Sequence, residues 1–159
     1  MKLAKVFKEN KQFTLFSILA LVVVGVAVFA PQIAPYDPLD AVMLESLQAP
    51  SSAHPFGTDK LGRDLLSRVI FGTRTSLVMT LCLVAVIFVI GTFLGVIAGY
   101  FGGIVDGVIM RIADMMISFP GLVLAIAIAG MLGPNLVNAV ISIAAVSWTK
   151  YARLARSMV

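Results

Sequence analysis

Long apolar stretches separated by short polar segments dominate the sequence. Each has about 17 to 24 residues, and a helix of about 20 residues, rising about 1.5 Å per residue, crosses a hydrocarbon core of about 30 Å. Apolar positions fill whole stretches instead of one helix face, as lipid contact requires. The pattern therefore predicts four transmembrane helices, over residues 13–30, 77–100, 115–133 and 136–152.

The charges that flank these stretches predict their orientation. Four lysines precede the first stretch, whereas residues 31–50 contain no Lys or Arg, so the positive-inside rule places the N-terminus in the cytoplasm. A cleaved signal peptide is disfavoured, because Pro31 follows the one plausible cleavage point, Ala30. The fourth stretch ends in aromatic and basic residues typical of a cytoplasmic exit, so four crossings return to the starting side. These flanking residues are Lys2, Lys5, Lys8 and Lys11 at the start, and Trp148, Lys150, Tyr151, Arg153 and Arg156 at the end.

The segment between the first two stretches divides into a loop and an amphipathic helix. Five prolines predict extended and turn structure over residues 31–56. His54 in this loop is interpreted as a solvated residue, because no Cys or second His is near it to complete a metal site. From residue 58 to 74, leucines at helical spacing and two i,i+4 charge pairs predict an amphipathic helix. The predicted pairs are Lys60 with Asp64 and Asp64 with Arg68.

Two groups of residues in the second half are candidates for packing and for the membrane boundary. Small residues four apart let helices approach closely in lipid, either within this chain or between subunits. The charges that precede the third stretch have the lowest free-energy cost of insertion at the cytoplasmic boundary. Opposite charges three residues apart on a helix can pair there. A proline at this place kinks a helix or marks its first turn. The packing candidates are Gly91, Gly95 and Gly99, and the boundary candidates are Arg111 with Asp114, and Pro120 as the kink.

Composition and absent motifs narrow the class of protein. The chain is 60% hydrophobic and 13% charged, with a mean hydropathy of +1.02, which a soluble core of 159 residues cannot bury. The net charge of +4 comes from residues at the ends of apolar stretches, so it indicates membrane orientation and no nucleic-acid partner. Phosphate-loop, HExxH, CxxC and GxSxG motifs are absent, so we expect neither an enzyme nor a bound cofactor.

Several blocks of the sequence resemble one family. Residues 56–68 and 72–77 are similar to the GTDxxGRDxxSRxxxGxRxSL signature of the C-type permease subunit of dipeptide, oligopeptide and nickel ABC importers. Residues 99–120 and 148–156, and the proline-marked segment 34–38, resemble further blocks of that family in the same order. The resemblance extends from about residue 13 to the end of the chain.

The resemblance implies an all-α type I ABC importer membrane domain, with about four of six transmembrane helices present. It implies an N-terminal tail and first helix over residues 1–33, an extracytoplasmic loop over 34–72, and an incomplete transmembrane domain over 73–159. The implied partners are a homologous permease, two ATPase subunits that bind ATP, an extracytoplasmic solute-binding protein and the lipid bilayer. Tyr151, Arg153 and Arg156 would approach the loop that couples to the ATPase.

The resemblance and the length lead to two hypotheses. In the family the coupling loop and two helices would follow Val159, so we interpret the chain as the front part of a permease that imports small peptides or nickel, in a bacterial or archaeal cell (inner) membrane. The alternative is a small membrane scaffold or regulator, without transport activity, derived from such a permease. Peptide and nickel permeases share these blocks, so the substrate stays open.

Overall fold

The computed structural model describes residues 10–159, which are helical apart from loops and contain no β-strand. The lysines at positions 2, 5 and 8 lie outside the described residues. The prediction of an all-α membrane protein is confirmed. The helices are α1 (Lys11–Val28), α2 (Ala30–Ile33), α3 (Leu65–Phe101), α4 (Gly103–Ile117), α5 (Gly121–Leu132) and α6 (Leu136–Ser157), with a 3₁₀ turn at Met43–Glu45.

Helix α1 coincides with the first predicted span. Most of its side chains are exposed all round the helix, as expected of a surface in contact with lipid. It ends at Val28 and is capped by Phe29, whose N–H donates to the carbonyl of Gly25, and the short helix α2 follows. Pro31 lies in the first turn of α2, where its missing N–H leaves no helical bond unmade.

Helix α3 replaces two predicted helices. It runs for 37 residues without a break, about 55 Å, so the predicted amphipathic helix and the second predicted span are one element. The prediction that helix begins at residue 58 is wrong, because Gly57 and Gly62 have a φ of +75° and residues up to Asp64 form a loop. No proline or other helix breaker separates residue 74 from 77, so the helix continues into the apolar run.

The third predicted span is not a straight helix. Helices α4 and α5 are bent by 90° at the break between them. The break lies at Pro120, which precedes α5 with φ −57° and ψ 112°. Proline disfavours helical geometry at the residue before it, here Phe119, so α4 ends first.

Among the described residues, α1 and α3 are long and apolar enough to cross a membrane, and the bent pair α4 and α5 is a third candidate. The fourth predicted span is helical within α6, but polar and charged side chains lower its hydropathy below that of the other spans. The four predicted spans thus correspond to α1, α3, the bent pair of α4 and α5, and α6. Two or three of these four have the length and composition of a membrane span.

Two compact units divide the chain, up to Val78 and Met79–Val159, with the division inside α3. The predicted domain boundary near residue 73 stays a prediction. In the second unit α5 and α6 form an antiparallel hairpin across Gly133, whose φ of +92° favours glycine. Asn135 caps α6 by accepting a 3.0 Å hydrogen bond from Val137 N, and Asn138 Nδ2 donates to the carbonyls of Leu132 and Gly133.

The core of the second unit lies where α3, α4 and α6 meet. Ala98 of α3, Met110 of α4 and Ala152 of α6 are buried together. Ile109 and Trp148 pack against this cluster and are partly buried. Its small size leaves most large apolar side chains of the unit on the surface, which is the arrangement expected where lipid is the solvent.

Candidate functional site

The residues of the GTDxxGRD block form a tight turn beside the 3₁₀ turn. Thr58 N donates to the Gln48 carbonyl at 3.1 Å, and Thr58 Oγ1 accepts from Gln48 N at 2.9 Å. The same hydroxyl donates to the Glu45 carbonyl. One threonine thus fixes two points of the preceding segment, which makes its role in this block structural.

Asp59 holds the turn from inside. Its Oδ1 accepts from Leu61 N at 2.8 Å and from Arg63 N at 3.1 Å, and its Oδ2 accepts from Arg63 Nε at 2.8 Å. Arg68 approaches the same carboxylate to 3.6 Å. The hydrogen bond from the Arg63 side chain, with the two backbone bonds and the Arg63 charge, outweighs burial and lowers the pKa of Asp59 to about 2.

Glycine is required twice in this turn. Gly57 and Gly62 both have a φ of +75°, a region that L side chains rarely adopt. A Cβ on Gly62 would overlap the Val42 carbonyl, and one on Gly57 would overlap the Gln48 carbonyl. The backbone of the preceding segment therefore packs directly on both glycines.

A buried polar cluster follows the turn at the start of α3. Asp64 caps the helix, because its Oδ2 accepts from both N and Oγ of Ser67 at 2.7 Å. Asp64 Oδ1 lies 3.0 Å from His54 Nδ1, and Ser67 Oγ accepts from Tyr36 N at 3.1 Å. Burial raises the pKa of Asp64, but the hydrogen bonds from Ser67 and His54 together outweigh it and lower that pKa.

This cluster corrects two predictions. His54 is buried, not solvated, with the Tyr36 ring 4.9 Å away and Glu45 Oε2 3.4 Å from its Nε2. The predicted i,i+4 pairs of Asp64 are also wrong, because helix begins only after that residue and Asp64 pairs with His54. The ion pairs found are instead those of Asp59 with Arg63 and Arg68.

The chemistry of the cluster is that of a structural anchor. Ser67 donates to Asp64 and not to His54, so the histidine does not activate it as a nucleophile. Across residues 10–159, no three His, Cys, Asp or Glu side chains are grouped to hold a metal ion. The bonds of Tyr36, His54 and Ser67 instead tie both sides of the loop to the first turn of α3.

The glycine face of α3 contacts α6 of the same chain. A Cβ on Gly91 would lie 2.6 Å from Tyr151 Cβ and 2.7 Å from the Trp148 carbonyl. Gly95 and Gly99 meet the next two turns of α6 in the same way. Contacts advance along both helices in the same direction, so α3 and α6 run parallel. Of the two sequence alternatives, packing within the chain is the one present here.

Charged residues connect α6 to α4. Arg153 pairs with Asp114, and Arg156 pairs with Asp106. Asp114 thus pairs across helices and not with Arg111, its predicted partner three residues away on α4. We call these two pairs the α4–α6 clasp.

The remaining predicted site residues also lie on this unit. Tyr151 stacks edge to face on Phe88, with ring centroids 6.3 Å apart and planes at 87°. Pro120 lies at the bend between α4 and α5, beside a cavity of about 530 Å³. That cavity is mostly apolar, with Phe119 and Val146 among its lining residues and Lys150 as its charged one.

Comparison with known proteins gives two family matches. The family described as "Binding-protein-dependent transport system inner membrane component" matches residues 91–159. The family described as "N-terminal TM domain of oligopeptide transport permease C" matches residues 2–50. The matches together include the first apolar helix and the unit that holds the glycine face and the clasp.

Individual relatives are transport permeases. A dipeptide transport system permease of Haemophilus influenzae is 40% identical over 157 residues, covering 95% of this chain and 53% of that protein. A glutathione transport system permease of Pectobacterium atrosepticum is 42% identical over 137 residues, covering 86% of this chain and 46% of that protein. A nickel transport system permease of Escherichia coli is 41% identical over 125 residues, covering 79% of this chain and 45% of that protein. The chain spans about half the length of these curated relatives.

Proposed function

This chain belongs to the family of binding-protein-dependent inner-membrane transport permeases, and we propose that it is a permease subunit of an ATP-driven importer of small peptides or nickel. The observation that carries the proposal is about 40% identity, across most of the chain, to permeases for dipeptides, glutathione and nickel. Those relatives are transport permeases and not enzymes. The proposed location is the cell (inner) membrane of a bacterium or archaeon.

The proposed topology places the N-terminus in the cytoplasm. The lysines before α1 support this orientation. Parallel α3 and α6 support the number of crossings, because two helices that cross in the same direction need an odd number of crossings between them. We propose that the bent pair of α4 and α5, which has the length and composition of a broken span, is that one crossing. With α1 leaving the cytoplasm, the loop of residues 34–64 is then extracytoplasmic, and the clasp lies at the cytoplasmic boundary.

Labelling of single cysteines tests this topology. In a Cys82→Ser background, Ser51→Cys should react with an impermeant maleimide from outside the cell, whereas Ile104→Cys and Ser157→Cys should react only after permeabilisation. Each of these three side chains is exposed. Reaction of Ser51→Cys only from the cytoplasmic side would overturn the orientation.

The proposed partners are a homologous permease, a solute-binding protein that delivers substrate, and two ATPase subunits that bind ATP. Tyr151, Arg153 and Arg156 are proposed to face the coupling region. Their contacts support this role, because the last turns of α6 contact both neighbouring helices. A displacement of α6 passes to α3 through the glycine face and to α4 through the clasp.

A chimera tests the proposed activity. This chain should replace the matching part of the Haemophilus influenzae dipeptide permease and restore dipeptide uptake to cells that lack that permease. Uptake should disappear when the solute-binding protein is also deleted, which is the control for binding-protein dependence. A chimera that reaches the membrane in normal amounts and takes up neither dipeptide nor nickel would refute the proposal.

A further inference from the structure

The segment Leu39 to Leu47 exposes apolar side chains although it belongs to a well-ordered polar loop. Leu44 is 96% exposed, Leu39 77%, and Met43 and Leu47 are 68% exposed each. Exposed single apolar residues are ordinary, whereas four of them within nine residues of one loop are a local concentration. We call these four side chains the loop patch.

Hydrogen bonds fix the loop patch in this exposed arrangement. Leu47 N donates to the Asp59 carbonyl at 3.1 Å, and Ser46 Oγ donates to the Lys60 carbonyl at 2.9 Å. Leu47 has a φ of +54°, a left-handed conformation that is sparsely populated for leucine. Polar groups of the segment are therefore bonded to the carbonyls of Asp59 and Lys60, while its four apolar side chains stay exposed.

We propose that the loop patch rests on the bilayer surface, with its apolar side chains at the boundary between lipid headgroups and acyl chains. Both ends of the loop are attached to candidate spans, α1 with its extension α2 on one side and α3 on the other. The inference uses only these attachments and the exposure of the loop, so it does not depend on any transport activity.

The attachments keep the loop patch close to the membrane. Leu39 lies six residue steps after Ile33, the end of α2, and even a fully extended chain of that length reaches only about 20 Å. Within this stretch Tyr36 N is bonded to Ser67 Oγ in the first turn of α3, so the stretch is held between α2 and α3. Phe29 and Ile33, at the outer end of α1 and α2, are apolar and exposed as well.

Charge limits how deep the segment can lie. Asp37, Asp40 and Glu45 alternate with the apolar residues and need water or headgroup contact. The apolar side chains can enter the interface only while these carboxylates stay at the level of water and headgroups, which places the segment at the membrane surface and not deeper. The lipid surface therefore fits both the apolar side chains and the carboxylates between them.

A fluorescent probe tests the contact. In a Cys82→Ser background, Leu44→Cys carries an environment-sensitive NBD label, and Ser52→Cys in the same loop is the matched control. Both side chains are exposed, so neither label disturbs packing. In phosphatidylcholine nanodiscs that each hold one copy of the protein, the probe at position 44 should emit at a shorter wavelength than the probe at position 52. Lipids bearing a shallow nitroxide should quench it, and aqueous iodide should quench it several-fold less than the probe at position 52.

Three results would overturn the proposal. Equal, water-like emission and iodide quenching at both positions would show that the patch faces water. Blue-shifted emission at position 44 without quenching by the lipid nitroxide would show that protein covers it. A shift that appears only with two copies per nanodisc, or only after addition of the partner subunits, would identify the patch as a protein interface.

Discussion

The close packing of α3 on α6 makes Gly91→Ala the sharpest test of the structure. The added Cβ would lie 2.6 Å from Tyr151 Cβ and 2.7 Å from the Trp148 carbonyl, whereas ordinary contacts begin near 3.4 Å. Neither atom can turn away, because both are fixed by the α6 backbone. The two helices must therefore separate locally by about 0.8 Å.

That separation sets the expected loss of stability. A gap of about 0.5–1 Å removes a quarter to a half of the dispersion energy of each affected contact, and overpacking of this kind costs about 1–3 kcal/mol. Alanine also gains helix propensity over glycine, up to about 1 kcal/mol. Gly72→Ala in the same helix is the matched control, because nothing lies within 4 Å of its added Cβ. The difference between the two variants isolates the clash and should be about 1–3 kcal/mol.

Trp148 provides the assay. It is the only tryptophan of the chain, and it packs against the core of α3, α4 and α6. Its fluorescence, followed while the protein in dodecyl maltoside is titrated with dodecyl sulfate, should give an earlier unfolding midpoint for Gly91→Ala than for Gly72→Ala. Equal midpoints, with equal Trp148 emission before unfolding, would refute the close approach of the two helices.

Three further predictions concern the loop and the clasp. Asp64→Ala should weaken the loop by about 1–2 kcal/mol through loss of the helix cap, seen as faster hydrogen exchange. In the wild type the contribution of Asp64 is complete above the ordinary carboxyl pKa of 3.8 and is lost as pH falls through its lower folded-state pKa; protection factors, taken relative to the intrinsic exchange rate at each pH, that are unchanged in acid would contradict this. Gly62→Ala should open the turn, because its Cβ would overlap the Val42 carbonyl, and unchanged protease resistance would count against it. Arg153→Asp should lower stability and Asp114→Arg should restore it, with a coupling of about 0.2–1 kcal/mol in a double-mutant cycle; a coupling of zero or opposite sign would argue against the pair.

The apolar pattern predicted most of the helical structure, because lipid imposes a simple rule on long segments. Helix α1 and the membrane part of α3 follow from uncharged runs alone. The break at Pro120 follows from the backbone chemistry of one residue. The 90° angle between α4 and α5 does not follow from the sequence, because it depends on how α5 packs against α6.

The loop was predicted poorly because its structure depends on contacts between residues distant in sequence. A helical reading of residues 58–74 paired Asp64 with its neighbours, but two glycines with positive φ delay the helix until after Asp64. His54 is buried by Asp64 and Tyr36, residues ten or more positions away. In the same way Asp114 finds Arg153, 39 residues away, instead of Arg111.

The two sets of contacts made by α6 differ in strength, and this difference indicates which part of the second unit can move. Its contact with α3 is backbone-close packing along Gly91, Gly95 and Gly99, which cannot slide without a clash. Its contact with α4 includes two ion pairs whose arginines are roughly half exposed, and each such pair is worth only about 0–1 kcal/mol. A load on α6 is therefore passed most rigidly to α3, whereas a movement of α4 away from α6 has to break the clasp and withdraw Met110 from the shared core. Because Pro120 already interrupts the helical hydrogen bonds between α4 and α5, the bend there is the place where such a movement costs least.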